Sequence, residues 1–324
     1  MVELPEPTQE TVDAIYRMYE AQAGDPFRDH LGASLIGTEC ERSLWDTFRW
    51  ATRPKFSGRV LRLFQSGFHE EARVIDDLRS IGITVYDADP ETGKQIQYSS
   101  FGEHFAGSLD GIAQGFAEAP VAWHVLELKT SNDRSFKLMK AKGVKIAKPL
   151  HYAQMQTYMH WSGVDRAMYI VVNKDTDEMY SERVPYDKAY AERLEDKSYR
   201  VIFANEPSFM VSDSDKDMRC RFCQHVELCR GRCLPEVNCR TCAFSDVIED
   251  GKWECARFNR FKKPIPSLSQ RNACPAHVFI PKLVPLEQTD ADNDRGWIMY
   301  GEITNGAGAI ASKDLWKVMR DGTK

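Results

Sequence analysis

Two acidic residues and a lysine lie in order along one stretch of the chain. Asp110 belongs to a Gly-Ser-Leu-Asp-Gly segment, and Glu127 and Lys129 follow in an apolar segment. Because side chains alternate between the two faces of a β-strand, a strand here places Glu127 and Lys129 on the same face. Two carboxylates can hold a divalent cation, and a neighbouring lysine can orient or help deprotonate a water molecule. The set therefore favours metal-assisted cleavage of a phosphodiester bond.

The elements that must position these residues follow from the apolar periodicity of the chain. Helical spacing predicts helices over residues 8–22, 41–50, 58–80, 133–142, 149–162 and 186–204. Alternation and turn residues predict strands over 83–86, 94–98, 105–112, 121–129, 166–173 and 178–184, and a hairpin and a short helix from near Ser312 within 295–319. Gln154 and Tyr158 are one helical turn apart and share a helix face. We expect an α/β fold.

The order of these motifs resembles that of the PD-(D/E)XK nucleases, and within them the RecB-like exonucleases of phage and prophage type. Residues 107–111 (GSLDG), 127–129 (ELK) and 154–158 (QMQTY) match the second, third and QxxxY motifs, and 67–71 (GFHEE) resembles the first. The chain is similar to the nuclease domain of AddB and to the CRISPR-associated RecB-like iron–sulfur exonuclease. The resemblance covers about residues 30–230 and implies a restriction-endonuclease-like core, a central mixed sheet flanked by helices.

The resemblance implies a role for each matched residue. The expected ligands of Mg or Mn are Asp110, Glu127, the backbone carbonyl of Leu128, and either His69 or Glu71. Lys129 is expected to act on the attacking water. Gln154 and Tyr158 are expected to contact the substrate or to position Lys129.

The implied activity is metal-dependent hydrolysis of DNA from its ends, with single-stranded DNA as the first substrate. The implied process is phage recombination or DNA processing, in which a recombination or replication protein could be a partner. Two alternatives stay open. One is a catalytically silent nucleic-acid-binding or adaptor protein on a nuclease fold. The other is a protein-interaction module centred on residues 233–285.

The nine cysteines are spread unevenly, which points to metal binding rather than disulfides. Cys40 stands alone, and the other eight lie between residues 220 and 274. RecB-like nucleases with an iron–sulfur cluster use one cysteine before the core and three after it. The resemblance therefore implies a [4Fe-4S] cluster that joins distant parts of the chain, with the ligands Cys40, Cys220, Cys223 and Cys229. A zinc site is the alternative for the last three.

The remaining cysteines predict a small zinc-binding module. The expected zinc ligands are Cys239, Cys242, Cys255 and Cys274, and His277 could replace Cys274. Cys233 is left without an assignment. The predicted organisation is therefore a nuclease domain with the iron–sulfur cluster over residues 1–230, the cysteine-rich module over 231–285, and a small C-terminal appendage over 286–324.

Charge and hydropathy limit the kinds of partner. A formal net charge of -5 over 324 residues excludes a generally basic nucleic-acid coat, so any DNA contact must be local. Six basic residues follow the Glu-x-Lys segment: Arg134, Lys137, Lys140, Lys142, Lys145 and Lys148. Of these, Lys137, Lys140 and Lys142 are the candidate DNA-binding residues, with a solvated helix face as the other interpretation.

The absence of a long apolar run and the acidic, polar start of the sequence lead us to expect a cytoplasmic protein without a membrane partner, in the host cytoplasm if phage-encoded.

Overall fold

A computed structural model describes residues 9–257, 263–292, 296–301, 310–311 and 314. Its α-helices are α1 Glu10–Gln22, α2 Glu41–Phe48, α3 Gly58–Ser80, α4 Asp133–Lys142, α5 Val144–Ala147, α6 Pro149–Ser162, α7 Lys188–Phe203, α8 Met218–Arg221, α9 Val226–Cys229 and α10 Ser267–Gln270. Its strands are β1 Leu31–Gly32, β2 Thr84–Tyr86, β3 Gln97–Ser100, β4 Phe105–Ser108, β5 Gly111–Gln114, β6 His124–Ser131, β7 Arg166–Asn173, β8 Met179–Pro185, β9 Ser245–Ile248, β10 Lys252–Cys255, β11 Lys263–Pro264, β12 Gln288–Asp292, β13 Trp297–Tyr300 and β14 Ile310–Ala311.

The fold is a mixed α/β arrangement in two compact units, each built from separate segments of the chain. The described part of the first unit is residues 9–27, 54–97 and 108–188. The second unit comprises residues 28–53, 98–107 and the described residues from 189 onward. The predicted boundaries near residues 230 and 285 stay predictions.

A five-stranded mixed sheet forms the first unit, in the order β2-β5-β6-β7-β8. The central strands β6 and β7 are parallel, and the other neighbours are antiparallel. A parallel pair requires a crossover connection, which here is the chain from α4 through α6. Leu126 and Leu128 of β6 pack with Val74 and Leu78 of α3 in one apolar core. Since side chains alternate, Glu127 and Lys129 lie on the opposite face.

Local sequence signals explain the helices around this sheet. The Asn132 side chain accepts a hydrogen bond from the Ser135 N–H and so caps the start of α4. Pro149 occupies the first turn of α6, and Gly163 ends that helix in the left-handed conformation at φ +72°. The six predicted helices are confirmed as α1, α2, α3, α4, α6 and α7, with ends that differ by no more than two residues.

One predicted strand is wrong. Residues 105–112 form two strands, β4 and β5, which are separated at Leu109 and Asp110. The two strands pair in different sheets, β4 with β1 and β3, and β5 with β2 and β6. The chain therefore has to change direction between them, and Asp110 lies in this break. Asp110 and Gly111 are residue types typical of a turn, but the pairing of β4 and β5 in different sheets depends on distant parts of the chain.

In the second unit, hydrogen bonds and ring contacts of the Arg240 side chain connect the cysteine-rich segment to the residues around α2. Its side chain is 2% exposed and donates hydrogen bonds to the carbonyl oxygens of Phe48 at 3.0 Å and Asp29 at 2.9 Å. Its guanidinium carbon lies 3.7 Å from the ring centroid of Trp50 and 4.7 Å from that of Trp253. Burying a guanidinium is costly unless its donors are satisfied, and these contacts provide that compensation.

The C-terminal predictions are tested only in part. Strand β13 pairs antiparallel with β12 and with β14, so the predicted hairpin partner of residues 297–300 is present. The connection over residues 302–309, and the predicted helix from Ser312 except for Asp314, lie outside the described residues. Across the ranges that the structure describes, no helix has both the length and the apolar composition needed to cross a bilayer.

The core of the first unit gives a direct prediction. Leu126 is 0% exposed in the packed cluster, whereas Leu138 on α4 is 49% exposed. Leu126→Ala should lower the free energy of unfolding by about 2–5 kcal/mol because it removes buried methyl groups and leaves a cavity. Leu138→Ala should change it by less than about 0.5 kcal/mol. Urea unfolding followed by circular dichroism measures both, and equal shifts for the two variants would contradict this packing.

Candidate active site and cysteine groups

Asp110 reaches from the break before β5 to the middle of β6. Its Oδ2 accepts a hydrogen bond from the backbone N–H of Leu128 at 2.7 Å. The residue is 9% exposed, so its carboxylate lies at the edge of the buried site rather than in open solvent. The irregular backbone at Leu109 and Asp110 thus brings the first acid beside the Glu-x-Lys strand.

The Lys129 ammonium lies among three oxygens. Its Nζ is 2.5 Å from Glu127 Oε1, 3.2 Å from Asp110 Oδ2 and 2.9 Å from the Leu128 carbonyl oxygen. These oxygens belong to three of the residues that the sequence predicted as Mg or Mn ligands. The ammonium therefore offsets negative charge where a cation would be expected.

Glu127 is a fully buried carboxylate whose lost hydration is only partly replaced by contacts with neighbouring groups. It is 0% exposed, and its Oε2 has no hydrogen-bond partner among the described residues. Burial raises the pKa of Glu127 to about 8, against the opposing effect of Lys129, and the charge of Asp110 adds to the rise. For Lys129, burial lowers the pKa, but the carboxylates of Glu127 and Asp110 outweigh it, so the net shift is upward. The ammonium therefore stays charged.

The helix α3 supplies a third acid. Burial, and then the charge of Asp110, raise the pKa of the half-buried Glu71 to about 7. His69 is exposed two residues earlier, which on a helix is a rotation of about 200°. The structure thus brings Glu71 near the acids and leaves the His69 side chain on another side of α3. The identity of the ligand from this motif stays a prediction.

Gln154 and Tyr158 hold the backbone that leads to Asp110. The Tyr158 hydroxyl donates a hydrogen bond to the Ser108 carbonyl at 2.7 Å and accepts one from Gln154 Nε2 at 3.4 Å. Burial raises the pKa of Tyr158, and the charge of Glu127 adds to this rise. Both side chains are buried, so the contact seen here positions the strand break rather than Lys129.

The sequence interpretation missed His151 and Tyr169. His151 Nδ1 lies 2.7 Å from the Tyr169 hydroxyl, and Tyr169 is the register partner of Glu127 in the parallel pair of β6 and β7. A signal for His151 was present, because it precedes Gln154 by three residues and so lies on the same side of α6. Tyr169 had no such signal, since its place beside Glu127 depends on the strand register.

The donor set fits a hard divalent cation. Carboxylate and carbonyl oxygens are the ligands that Mg and Mn prefer, and Asp110, Glu127 and Leu128 offer them within reach of one ammonium. The partnerless buried Oε2 of Glu127 is the specific observation that favours such a ligand, since an ionised buried carboxylate needs compensation.

The candidate DNA-binding lysines form ion pairs on the surface. Lys137 Nζ lies 2.7 Å from Asp133 Oδ2, and Lys140 Nζ lies 2.5 Å from Glu178 Oε1. Lys142 is exposed. Exposed pairs of this kind contribute little to stability, so these contacts agree with a solvated helix face and leave phosphate binding a prediction.

The cysteines predicted as iron–sulfur ligands converge. One cavity of the second unit is lined by residues that include Cys40, Cys220, Cys223 and Cys229. Burial raises the pKa of the Cys220 and Cys229 thiols. Arg230 Nη2 lies 3.9 Å from Cys220 Sγ, so the cavity wall also offers a cation that can stabilise thiolate charge.

The four cysteines predicted as zinc ligands also interact. Burial, and then the charges of Cys242, Cys274 and Cys255, raise the pKa of Cys239 to about 12. His277 is buried and lies 3.3 Å from Thr241 Oγ1, measured from its Nε2. Within the described ranges, however, no three His, Cys, Asp or Glu side chains are gathered so that they could hold a single metal ion.

Comparisons with known proteins leave the family open. No family model and no curated protein matches the chain. The chain is similar to an alkaline exonuclease (LHK-Exo) from Laribacter hongkongensis, with 18% identity over 53% of this chain and 85% of that chain and a TM-score of 0.38. The same exonuclease in complex with dAMP gives 17% identity, the same coverage and a TM-score of 0.38. SSO0001 gives 15% identity over 69% of this chain and 98% of that chain, with a TM-score of 0.38. Likenesses this weak do not establish a shared fold, so the chemistry has to be judged from the site.

The raised pKa of Glu127 predicts a specific pH dependence. In the absence of divalent cations the folded carboxyl holds its proton up to about pH 8, whereas its ordinary value is 4.5. The stability that this group contributes is therefore fully present below pH 4.5 and is lost as the pH rises through 8. Glu127→Gln should remove this loss, so its melting temperature should rise relative to the native protein by a few degrees between about pH 5 and pH 9. Thermal unfolding in EDTA measures this difference, and a difference that is constant with pH would contradict it.

Proposed function

We propose that this chain is a Mg- or Mn-dependent deoxyribonuclease of the RecB-like type that hydrolyses DNA from its ends. The observation that carries the proposal is the placement of the Lys129 ammonium among Asp110 Oδ2, Glu127 Oε1 and the Leu128 carbonyl. Two acids and a carbonyl can hold a divalent cation, and the adjacent lysine can stabilise the attacking water or the phosphate.

Each residue of the site has a separate role in the proposed reaction. When bound, a divalent cation would supply Lewis-acid stabilisation and a more acidic water. Asp110, Glu127 and the Leu128 carbonyl would hold it, with Glu71 as a further acid from α3. Lys129 keeps its proton, so it serves as a cationic hydrogen-bond donor to the attacking water or to a phosphate oxygen.

Charge balance supports a requirement for metal. When Glu71 and Glu127 are ionised, these two acids and Asp110 outnumber the single Lys129, and this excess of negative charge repels a phosphate. Binding of a divalent cation neutralises this excess and so removes the repulsion that opposes the approach of DNA. EDTA should therefore weaken DNA binding at the site as well as cleavage.

The finer parts of the proposal come from the motif resemblance. Single-stranded DNA ends are the first substrate that it implies, and phage recombination or DNA processing is the implied setting. Gln154 and Tyr158 act by positioning the backbone before Asp110 through the Ser108 carbonyl. Lys137 and Lys140 would exchange their present ion-pair partners for phosphates.

We further propose that the cysteines hold two structural metal centres. A [4Fe-4S] cluster on Cys40, Cys220, Cys223 and Cys229 is supported by their convergence on one cavity.

Zinc on Cys239, Cys242, Cys255 and Cys274 is supported by the mutual effect of these thiols on the pKa of Cys239. Thiols with raised pKa values are protonated near neutral pH, so either centre would form with release of protons. Cys233 is exposed and belongs to neither set.

The nuclease proposal predicts a selective loss of activity. Lys129→Ala should reduce Mn-dependent shortening of end-labelled DNA by about 100-fold or more, because a positioned cationic hydrogen-bond donor is lost. Lys140→Ala, which removes an exposed lysine paired with Glu178, should reduce it by less than about 10-fold. Gel assays on single- and double-stranded DNA, with Mn and with EDTA, measure both variants. Tight DNA binding without cleavage by the native protein would instead support the adaptor function.

The two metal proposals predict that substitutions in one cysteine set remove iron and substitutions in the other remove zinc. Cys40→Ser should remove iron and the brown visible absorbance from anaerobically purified protein while it leaves zinc in place. Cys242→Ser should remove zinc and leave iron. Cys233→Ser, at an exposed cysteine outside both sets, should change neither. Elemental analysis measures all three, and a colourless native protein that contains only zinc would contradict the cluster.

A further inference from the structure

His151 and Tyr169 form a pair beside the acids that the proposed mechanism does not use. His151 Nδ1 lies 2.7 Å from the Tyr169 hydroxyl. Tyr169 pairs in register with Glu127, so its side chain shares the face of the sheet that carries Glu127 and Lys129. Burial lowers the pKa of His151 and raises that of Tyr169, and the charges of Lys129 and Glu127, respectively, are close enough to add to these shifts.

The helix α6 directs His151 toward the same region. His151, Gln154 and Tyr158 are spaced by three and four residues, so they form one stripe along the helix. Tyr158 at the other end of the stripe already bonds to the Ser108 carbonyl before Asp110. The three side chains therefore line the helical side of the site.

The acceptors around the Tyr169 hydroxyl indicate the direction of the His151–Tyr169 bond. The hydroxyl has one proton, and it lies 2.7 Å from His151 Nδ1 and 3.5 Å from the Met139 sulfur. A ring nitrogen is a much stronger acceptor than a thioether sulfur, so donation from the Tyr169 hydroxyl to Nδ1 is favoured. The proton of the neutral imidazole is then on Nε2.

The imidazole stays neutral. Burial, and then the positive charges of Lys129 and Lys148, lower the pKa of His151 to about 3. Across the described part of the chain, no partner of Nε2 is seen. A neutral N–H donor near a charged lysine is suited to an anionic acceptor.

We propose that the Nε2–H of His151 donates a hydrogen bond to a non-bridging oxygen of the phosphate that is cleaved, which makes His151 a substrate-binding residue. This inference rests on the proposed nuclease function. Tyr169 is then a positioning residue that fixes the tautomer, and Lys129 and His151 contact the phosphate region from the sheet and from α6.

The chain offers a matched control. His160 on the same helix has the same kind of bond, with its Nδ1 2.7 Å from the Tyr186 hydroxyl. The test compares the native protein with His151→Leu, His151→Gln, Tyr169→Phe and His160→Leu in Mn-dependent cleavage of an end-labelled single-stranded oligonucleotide. A second oligonucleotide carries a phosphorothioate at the cleaved position, because sulfur is a weaker acceptor than oxygen.

The inference predicts that His151→Leu lowers kcat/KM by about 100- to 1,000-fold, as loss of one donor to a reacting oxyanion does. His151→Gln, which keeps an N–H donor, should recover part of this loss, and Tyr169→Phe should lie between the native protein and His151→Leu. The phosphorothioate should slow the native protein and His160→Leu more than it slows His151→Leu. Melting temperatures show whether each variant folds. If His151→Leu does not fold, the kcat/KM and the phosphorothioate effect of Tyr169→Phe test the inference instead.

Three results would overturn the inference. If His151→Leu had the same kcat/KM as the native protein, His151 would have no role in catalysis, and the proposed nuclease function would still stand. A loss of kcat/KM with an unchanged phosphorothioate effect would assign His151 a structural role only. No cleavage by the native protein would overturn the proposed function and this inference with it.

Discussion

The buried carboxylate of Glu127 is the constraint on which the rest of the site depends. A charge taken out of water costs several kcal/mol unless opposite charge and hydrogen bonds replace its hydration. Lys129 contributes an ammonium 2.5 Å away, yet the same ammonium is shared with Asp110. One lysine cannot balance both acids when both are ionised, so the ionised site has a deficit of positive charge. A divalent cation is the simplest species that removes this deficit.

The sheet holds the acids close together despite this deficit of positive charge, because it fixes the backbone on both sides of the site. Strand β6 pairs with a neighbour on each edge, and its apolar face packs on α3 in one core. On the other face, α6 brings Tyr158 to the backbone before Asp110. The acids therefore have little freedom to separate, and their burial, with a smaller contribution from the charge of Asp110, raises the pKa values of Glu71 and Glu127.

The parts of this arrangement that depend on local sequence could be predicted. Asn132, Pro149 and Gly163 set the ends of α4 and α6, and these helices have the expected bounds. Alternation in β6 correctly placed Glu127 and Lys129 on one face. The break at Leu109 and the pairing of His151 with Tyr169 could not be predicted, because each depends on strands that are distant in sequence. The position of Glu71 likewise depends on how α3 is rotated against the sheet.

Direct titration of Mn²⁺ tests the central claim, that Asp110, Glu127 and Leu128 form a cation site. Electron paramagnetic resonance of free Mn²⁺ should show tight binding to the native protein, and Glu127→Gln should weaken it strongly while the melting temperature in EDTA near neutral pH is kept or raised. Lys129→Ala should retain binding, because the lysine is not a ligand. Equal Mn²⁺ binding by the native protein and Glu127→Gln, or no binding by either, would contradict the account.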